Sequence, residues 1–326
     1  MSQVTDVDNQ VDLGKVPVVL IVNTKARKGQ EFFGLARIAL HAAGVNVVEN
    51  YPLSHAKRLP GLVQSLVERG IKSIVLGGGD GSISSVVDYL VDNDVTLGVL
   101  PLGTANDFAR TLHMPNIVED ACKVIAQGRT TKIDLGIVNN RHYINVASVG
   151  FGAAVVEYTS GDSKKLLGSL AYPLAAARAA FHHRPFTARL TFSNQTIETQ
   201  AIHIAVANGC FYGGGVLVTP NARIDDNELV VTIFEPMNAV ELGEVSLHLR
   251  DGLYVHHPKV RVFRKVRKLH LDIVHGGQKR INVDGELWSH TPAEFGIANN
   301  ALKVFVPEEF GLQVNDPTST HTPYKY

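Results

Sequence analysis

The first third of the chain alternates between short apolar runs and stretches in which apolar residues recur every three to four positions. Val16–Val22 is an apolar run ending at Asn23, and Phe32, Leu35, Ala36 and Ala39 then mark a helix over Glu31–Ala43. Val45–Val48 reads as a second strand. Leu59, Leu62, Val63, Leu66 and Val67 form an amphipathic helix stopped by Gly70. Ile71–Leu76 runs straight into glycines, after which Ile83, Val86, Val87 and Leu90 begin another helical stripe. Val95–Leu100 is the next strand, followed by a helix from Ala105 and a last one over Ile117–Gln127, stopped at Gly128. Apolar strands separated by such helices predict parallel βαβ units with helices on both faces of the sheet.

After Thr130 the period changes. His142–Val149, Ala188–Phe192, Ala201–Ala207, Glu228–Phe234, Lys259–Phe263 and Leu269–Val274 read as strands linked by turns, with a helical interruption at Lys164–Phe181. The pattern predicts two domains: an α/β domain with a parallel sheet over residues 1–130 and a β-rich domain over residues 131–310. The last segment of the second is free to pack back on the first, and residues 311–326 form a frayed tail.

Composition narrows the classes. In 326 residues Lys plus Arg is 31 and Asp plus Glu is 31, a balance that argues against a dedicated nucleic-acid binder. The two cysteines, Cys122 and Cys210, are too few for a disulfide scaffold and point to a reducing compartment. Asp6, Asp8 and Asp12 rule out a secretory signal at the start. No uncharged apolar run reaches the roughly 18–20 residues of a spanning helix; the nearest, Leu166–Ala177, contains Gly168, Ser169 and Pro173. The expectation is a cytoplasmic protein, with peripheral contact at the inner face of the membrane left open. A homodimer is an ordinary state for such a protein, but no stretch marks an interface.

The strongest local feature is Gly77-Gly78-Gly79-Asp80-Gly81-Ser82, between a strand and a helical stripe. Glycines there let the backbone approach a ligand, and the helix N-terminus that follows offers unpaired N–H groups to an anion. Asp80 is suited to a metal or its waters, and equally to capping the helix. Leu100–Asp107 (LPLGTAND) occupies the same strand-to-helix position one unit later, and Asn23–Gly29 the same position after the first strand, with Lys25, Arg27 and Lys28. In a parallel sheet all three loops emerge at one edge, where ligands bind. Phosphate chemistry on a nucleotide follows. The Walker loop, the dinucleotide fingerprint and the protein-kinase motifs are all absent from the sequence.

These residues resemble the diacylglycerol kinase catalytic-domain family, which includes bacterial soluble lipid kinases and sphingosine kinase-like enzymes. Gly78–Ser82 is similar to its G-G-D-G-T signature and Pro101–Arg110 to its P-x-G-T-x-N-D-x-A-R element. Asn145–Gly152, Asn208–Pro220, Ala222–Leu229 and Val283–Glu286 resemble its later signatures, so the likeness runs from about Val18 to Pro307. Ser82 stands where Thr is usual, Asn227 where Gly is customary, and Thr24 and Ala26 where Pro and Ser are frequent. Asn tolerates the left-handed backbone that the glycine implies.

The resemblance implies an N-terminal three-layer α/β domain of the NAD kinase/phosphofructokinase type that binds nucleotide. It also implies a C-terminal antiparallel β-sandwich that takes the lipid. The implied activity is ATP- and Mg2+-dependent phosphorylation of a lipid hydroxyl, best matched by diacylglycerol going to phosphatidic acid. Asp284 is then the general base. Asp80, Asp107 and Glu286 join it in catalysis through a Mg2+–water network, and Asp225 or Asp226 holds a structural metal. Nucleotide contacts fall to Asn23, Gly77, Gly78, Gly79, Gly81, Ser82, Gly103, Thr104 and Asn106. Read without the family, Asp284 sits in a common D-G turn, Asp107 is a helix brace, and Asp225-Asp226-Asn227 is a hairpin turn.

The lipid side has two candidate segments. Leu166, Leu167, Leu170, Leu174 and Ala177, beside Lys164, Lys165, Arg178 and Arg184, form a stripe that suits either an acyl site, a membrane interface or core packing. Lys259–Lys268 is basic and carries no acid, which would attract anionic lipid heads or simply be solvated. The rival readings are an NAD kinase-like or other small-molecule kinase on the same scaffold, and a non-catalytic lipid-binding regulator.

Overall fold

The computed structural model describes residues 10–25, 29–150, 184–217, 219, 222–249 and 251–311. The Leu166–Ala177 stripe, the Lys164–Phe181 helix, Arg27, Lys28 and residues 312–326 of the expected tail lie outside the described residues.

The first half alternates as its periodicity implies: β1 (Val18–Asn23), α1 (Gly29–Ala42), β2 (Val47–Leu53), α2 (Leu59–Glu68), β3 (Ser73–Gly78), α3 (Asp80–Ser84), α4 (Val87–Asp92), β4 (Thr96–Pro101), α5 (Asp107–Thr111) and α6 (Val118–Ala126). Strands β2, β1, β3 and β4 are parallel neighbours in that order. β3 and β4 are buried along their whole length, as strands covered on both faces must be. α1 packs with α6 and α2 with α4, giving helix layers on the two faces of the sheet.

The second half contributes β5 (Thr130–Val138), β6 (Arg141–Tyr143), β7 (Val146–Gly150), β8 (Phe186–Phe192), β9 (Thr196–Ala201), β10 (His203–Ala207), β11 (Phe211–Tyr212), β12 (Val216–Leu217) and β13 (Leu229–Phe234). After α7 (Ala239–Leu247) come β14 (Val260–Val266), β15 (Lys268–His275), β16 (Arg280–Val283), β17 (Glu286–His290) and β18 (Ala293–Phe305). One sheet runs β14-β13-β10-β7-β16-β17, and its antiparallel pairing holds throughout. It packs against β8, β15 and one end of β18 through Phe186, Leu190, Val206, Val231, Leu271 and Phe295, the core of a sandwich.

β18, 13 residues long, joins the halves. One end pairs antiparallel with β15, while Val304 near the other end pairs parallel with Leu97 of β4. The parallel sheet and part of the sandwich are therefore one continuous ten-stranded sheet.

The structure is a mixed α/β protein with a parallel sheet in the first half and antiparallel sheets in the second, as expected. Four local differences stand out, three of them with a physical cause in the structure. The helix expected from Ala105 starts at Asp107, because Asn106 takes a left-handed conformation (φ 53°) that no helix interior accepts. The stripe from Ile83 breaks into α3 and α4. The strand expected over His142–Val149 is interrupted at Ile144 and Asn145, whose N–H groups go to a carboxylate instead of a neighbouring strand. Helix α7, not anticipated, is started by a capping box in which Asn238 accepts from Val240 and Glu241 while Glu241 accepts from the Asn238 N–H.

Candidate active site

Three strand ends meet at one edge of the parallel sheet. β1 ends in Asn23, β3 runs into Gly77–Gly79, and β4 into Pro101–Gly103, with Gly77 paired to Leu100 and Gly78 to Pro101. The glycines are required by close approach. A Cβ on Gly103 would lie 2.4 Å from Gly79 Cα and 2.8 Å from Asn106 Oδ1, and one on Gly77 2.8 Å from Leu102 Cδ1. A Cβ on Gly78 would lie 2.8 Å from Ser82 Oγ. Gly81 differs: nothing stands within 4 Å of its missing side chain, so it borders open space.

Polar side chains fix these loops. Asn106 accepts the Gly103 N–H at 2.7 Å and donates to the Gly103 carbonyl at 3.0 Å, stapling the second loop. Asn23 Nδ2 donates to Ser82 Oγ at 3.4 Å, so Ser82 still supplies the hydroxyl. Thr104 is exposed at the loop tip.

Asp80 spans the first two loops. Its carboxylate accepts the N–H groups of Asp107 (3.1 Å) and Phe108 (2.8 Å), closing the start of α5. Asp107 reaches the other way. Buried, it accepts the N–H groups of Gly214 (3.0 Å) and Gly215 (2.7 Å). Those belong to Gly213–Gly215, with φ of 74°, 99° and 84°, a left-handed run that only glycine adopts without strain and that aims successive N–H groups inward. The β11–β12 hairpin is thereby clamped to the glycine-loop side.

Asp284 sits in the turn between β16 and β17 at φ 47°. Its carboxylate fills the break between β6 and β7, accepting N–H groups from Ile144 (2.7 Å), Asn145 (2.9 Å) and Val146 (3.1 Å). Burial outweighs these three donors and, with the charge of Asp80 adding to it, pushes the Asp284 carboxyl up to about 6. Burial also raises Asp107, again with Asp80 contributing and the glycine N–H groups opposing. Asp80 thus bears electrostatically on both Asp107 and Asp284, which draws the three into one neighbourhood.

Next to them the backbone of Asn145 accepts the N–H groups of Asn208 (2.9 Å) and Gly209 (3.0 Å), and Asn208 Nδ2 donates to the carbonyls of Asp134 (3.0 Å) and Ile144 (2.9 Å). The Oδ1 atoms of Asn145 and Asn208 are buried without a partner. Glu286 lies apart from this buried group: its side chain is half-exposed and meets Arg141 Nη2 at 3.4 Å, and the Arg141 guanidinium lies 4.1 Å over the Trp288 ring.

Asp225 and Asp226 belong to a second acidic centre. There Asp134, buried in β5, accepts the N–H groups of Asn227 (2.6 Å) and Asn300 (2.8 Å). Asn227 keeps the left-handed turn at φ 58°. Asp225 is taken up by a two-point pair with Arg223, both contacts at 2.8 Å, so an internal cation already balances it. Burial and the charge of Glu228 push Asp226 up to about 6. Asp134 was not foreseen; the signal is a single carboxylate inside the apolar run Ile133–Leu135.

What the first centre offers a divalent cation is charge, not a ready-made cage: among the described residues no three His, Cys, Asp or Glu side chains are grouped to hold a metal ion. The charge of Asp80 adds to burial in raising Asp107 and Asp284, and the buried oxygens of Asn145 and Asn208 are unpaired. Hard oxygen donors of this kind are what Mg2+ takes, usually with several of its waters retained. The second centre fits less well, since Asp225 is already neutralised by Arg223.

Comparison with known proteins gives a consistent picture. Residues 17–138 match the diacylglycerol kinase catalytic domain, and residues 145–306 the YegS C-terminal NAD kinase beta sandwich-like domain. The diacylglycerol kinase of Staphylococcus epidermidis (strain ATCC 35984) is 30% identical over 267 residues, 79% of this chain and 84% of that protein. That of Staphylococcus aureus (strain bovine RF122) is 31% identical over 238 residues, 72% of this chain and 75% of its own. A crystal structure from Bacillus anthracis str. Sterne superposes with a TM-score of 0.77 at 22% identity, covering 92% of this chain and 99% of that one. A diacylglycerol kinase structure from the same organism gives 0.68 at 20% identity, over 90% and 97%. At these identities the structural likeness is one of fold.

Proposed function

Because the chain belongs to the diacylglycerol kinase family and is a lipid kinase, we propose that it transfers the γ-phosphate of ATP, with Mg2+, to the hydroxyl of diacylglycerol, yielding phosphatidic acid. The observation that carries the reading is Asp284: a buried carboxyl raised to about 6 by burial, with the charge of Asp80 from the glycine loop adding to it. A base of that strength is largely ionised at neutral pH yet basic enough to accept a proton in the transition state.

The backbone of the Gly77–Gly81 loop and of the loop after Gly103, whose own N–H is held by Asn106, cradles the phosphates, and the open space at Gly81 lets them approach. The three N–H groups on Asp284 hold its carboxylate still, so that the lipid hydroxyl meets a positioned acceptor. As the hydroxyl oxygen attacks the γ-phosphorus, its proton passes to Asp284 and the bond to the β-phosphate oxygen breaks. Bound Mg2+ would offset phosphate charge and draw on Asp80 and Asp107, with Glu286 held apart on Arg141. Asp107, through Gly214 and Gly215, keeps the β11–β12 hairpin against the nucleotide side.

The acceptor is taken at a membrane surface. Among the described residues no helix is long and apolar enough to cross a membrane. Arg264, Lys265, Arg267 and Lys268 are exposed at the junction of β14 and β15, and such a cluster supports attraction to anionic heads.

The test is transfer from labelled ATP, with Mg2+, to a lipid panel in mixed micelles with NAD as a soluble acceptor, run beside Asp284→Asn. Labelled phosphatidic acid that disappears in the variant is the expected result. Labelling of NAD alone would overturn the lipid assignment.

A further inference from the structure

Arg141 opens β6, three residues before the backbone that holds Asp284, and only 9% of its side chain is exposed. Its side chain makes one hydrogen bond, and its charge also bears on Asp88 of α4. Nη2 stands 3.4 Å from Glu286 Oε2, and the guanidinium lies 4.1 Å over the Trp288 ring. Stacking engages the flat face of a guanidinium and leaves its in-plane N–H donors unused. Glu286 is itself 53% exposed, so the pair is not a closed, fully buried salt bridge. The remaining N–H donors of Arg141 make no hydrogen bond within the described residues.

The arrangement reads as a fork held in place. Trp288 sets its plane, Glu286 takes one tip, and the remaining N–H groups are left for another acceptor. Glu286 and Trp288 share one face of β17, which begins two residues after Asp284. Planar, two-point recognition by a preoriented guanidinium selects carboxylate or phosphate oxygens, and the chemistry at this edge is phosphate chemistry.

We infer that Arg141 is a phosphate-binding group, taking an oxyanion supplied by the nucleotide polyphosphate or by a phosphorylated lipid, with Trp288 as the plate that orients it. The placing of the site in a phosphoryl transfer rests on the reaction proposed above; the oxyanion binding itself does not.

The chain has a single tryptophan, so its emission reports on this position alone. The full chain is titrated without metal by inorganic pyrophosphate, ATP and dihexanoyl phosphatidic acid, following Trp288 emission and calorimetric binding together. Saturable binding that moves the emission is expected. Response to pyrophosphate and ATP alone assigns the nucleotide, and response to phosphatidic acid alone assigns the lipid product. Arg141→Met and Arg141→Lys, the latter keeping charge but not the fork, should each bind the responding ligand about tenfold more weakly, the value of one charge-assisted hydrogen bond.

Glu286→Gln separates binding from mere architecture. Removing the competing carboxylate should tighten oxyanion binding several-fold, whereas a purely structural pair would make it weaken binding as the Arg141 variants do. If those variants do not fold, Glu286→Gln alone decides. Wild-type affinity in folded Arg141→Met, no oxyanion binding by the wild type, or weakened binding in Glu286→Gln overturns the inference. Arg141-dependent binding in a protein that phosphorylates no lipid would instead overturn the reaction and leave the site.

Discussion

The glycine-loop wall and the Asp284 wall of the site are made differently. On the first, Gly79 and Gly103 meet backbone to backbone at the ends of neighbouring parallel strands, and the strands alone create the contact. On the second, a carboxylate fastens backbone 138 to 140 residues away, at the break between β6 of the ten-stranded sheet and β7 of the six-stranded one. The first wall is steric and local, so damage to it should appear as lost stability. The second is polar and long-range, and its central group is also the proposed base, so damage should appear first in turnover.

The sharpest break is Asp284→Asn. Loss of a general base costs about 10²–10⁴-fold in rate, so kcat for lipid phosphorylation should fall by that order while ATP affinity stays near wild type. Steady-state assays beside calorimetry check it, and an unchanged kcat would remove the base from the second wall. Next in size is Gly103→Ala. Its Cβ would press on Gly79 Cα at 2.4 Å, and such overpacking costs about 1–3 kcal/mol; denaturant unfolding should find that loss.

A third prediction titrates the second wall. The rate should rise through about pH 6 and level off above it, as Asp284 ionises. Stability moves the opposite way. Because the folded pKa stands at about 6, above the ordinary 3.8, the contribution of Asp284 is fully present below the lower value and lost as pH rises to the upper one. Asp226, also raised to about 6, titrates in the same window, so Asp284→Asn should remove part of the pH-dependent stability and Asp226→Asn another part. A rate profile without an acid limb near 6 would contradict the assignment.

The smallest effect sharpens the first wall by contrast within it. Gly81→Ala meets nothing within 4 Å and lies inside α3, where Ala is worth up to about 1 kcal/mol over Gly. The variant should be as stable as wild type or slightly more so, yet bind ATP more weakly because its methyl enters the space of the phosphates. A wild-type ATP affinity would mean that the nucleotide lies elsewhere along the edge.

Much of the first wall was legible in the chain because its causes are short-range. Apolar period marks β3 and β4, glycine marks where they end, and the Asn106 staple reaches only to Gly103. The second wall was legible only as a resemblance. Nothing near Asp284 in sequence announces that Ile144–Val146 will break strand pairing to meet it. Nor does Asp107 announce Gly214 and Gly215, although a run of three glycines is itself a signal that backbone N–H groups will be used. The last segment was read as free to pack back on the first domain, but not as one strand pairing with both β4 and β15, which depends on two sheets already standing side by side. Arg141 and Trp288 carried no local signal at all.

The chain by itself determined the alternation of strands and helices, the positions where the backbone must turn left-handed or come close, and the residue types offered to a phosphate. These follow from φ/ψ preference, side-chain period and hydrogen-bonding capacity, which act over a few residues. Only the tertiary structure decided which carboxylates share a field, which are spent on backbone N–H groups or on Arg223, and which is raised to about 6. Burial and Coulomb interaction depend on what lies a few ångströms away in space, and at Asp284 those neighbours arrive from the far side of the chain.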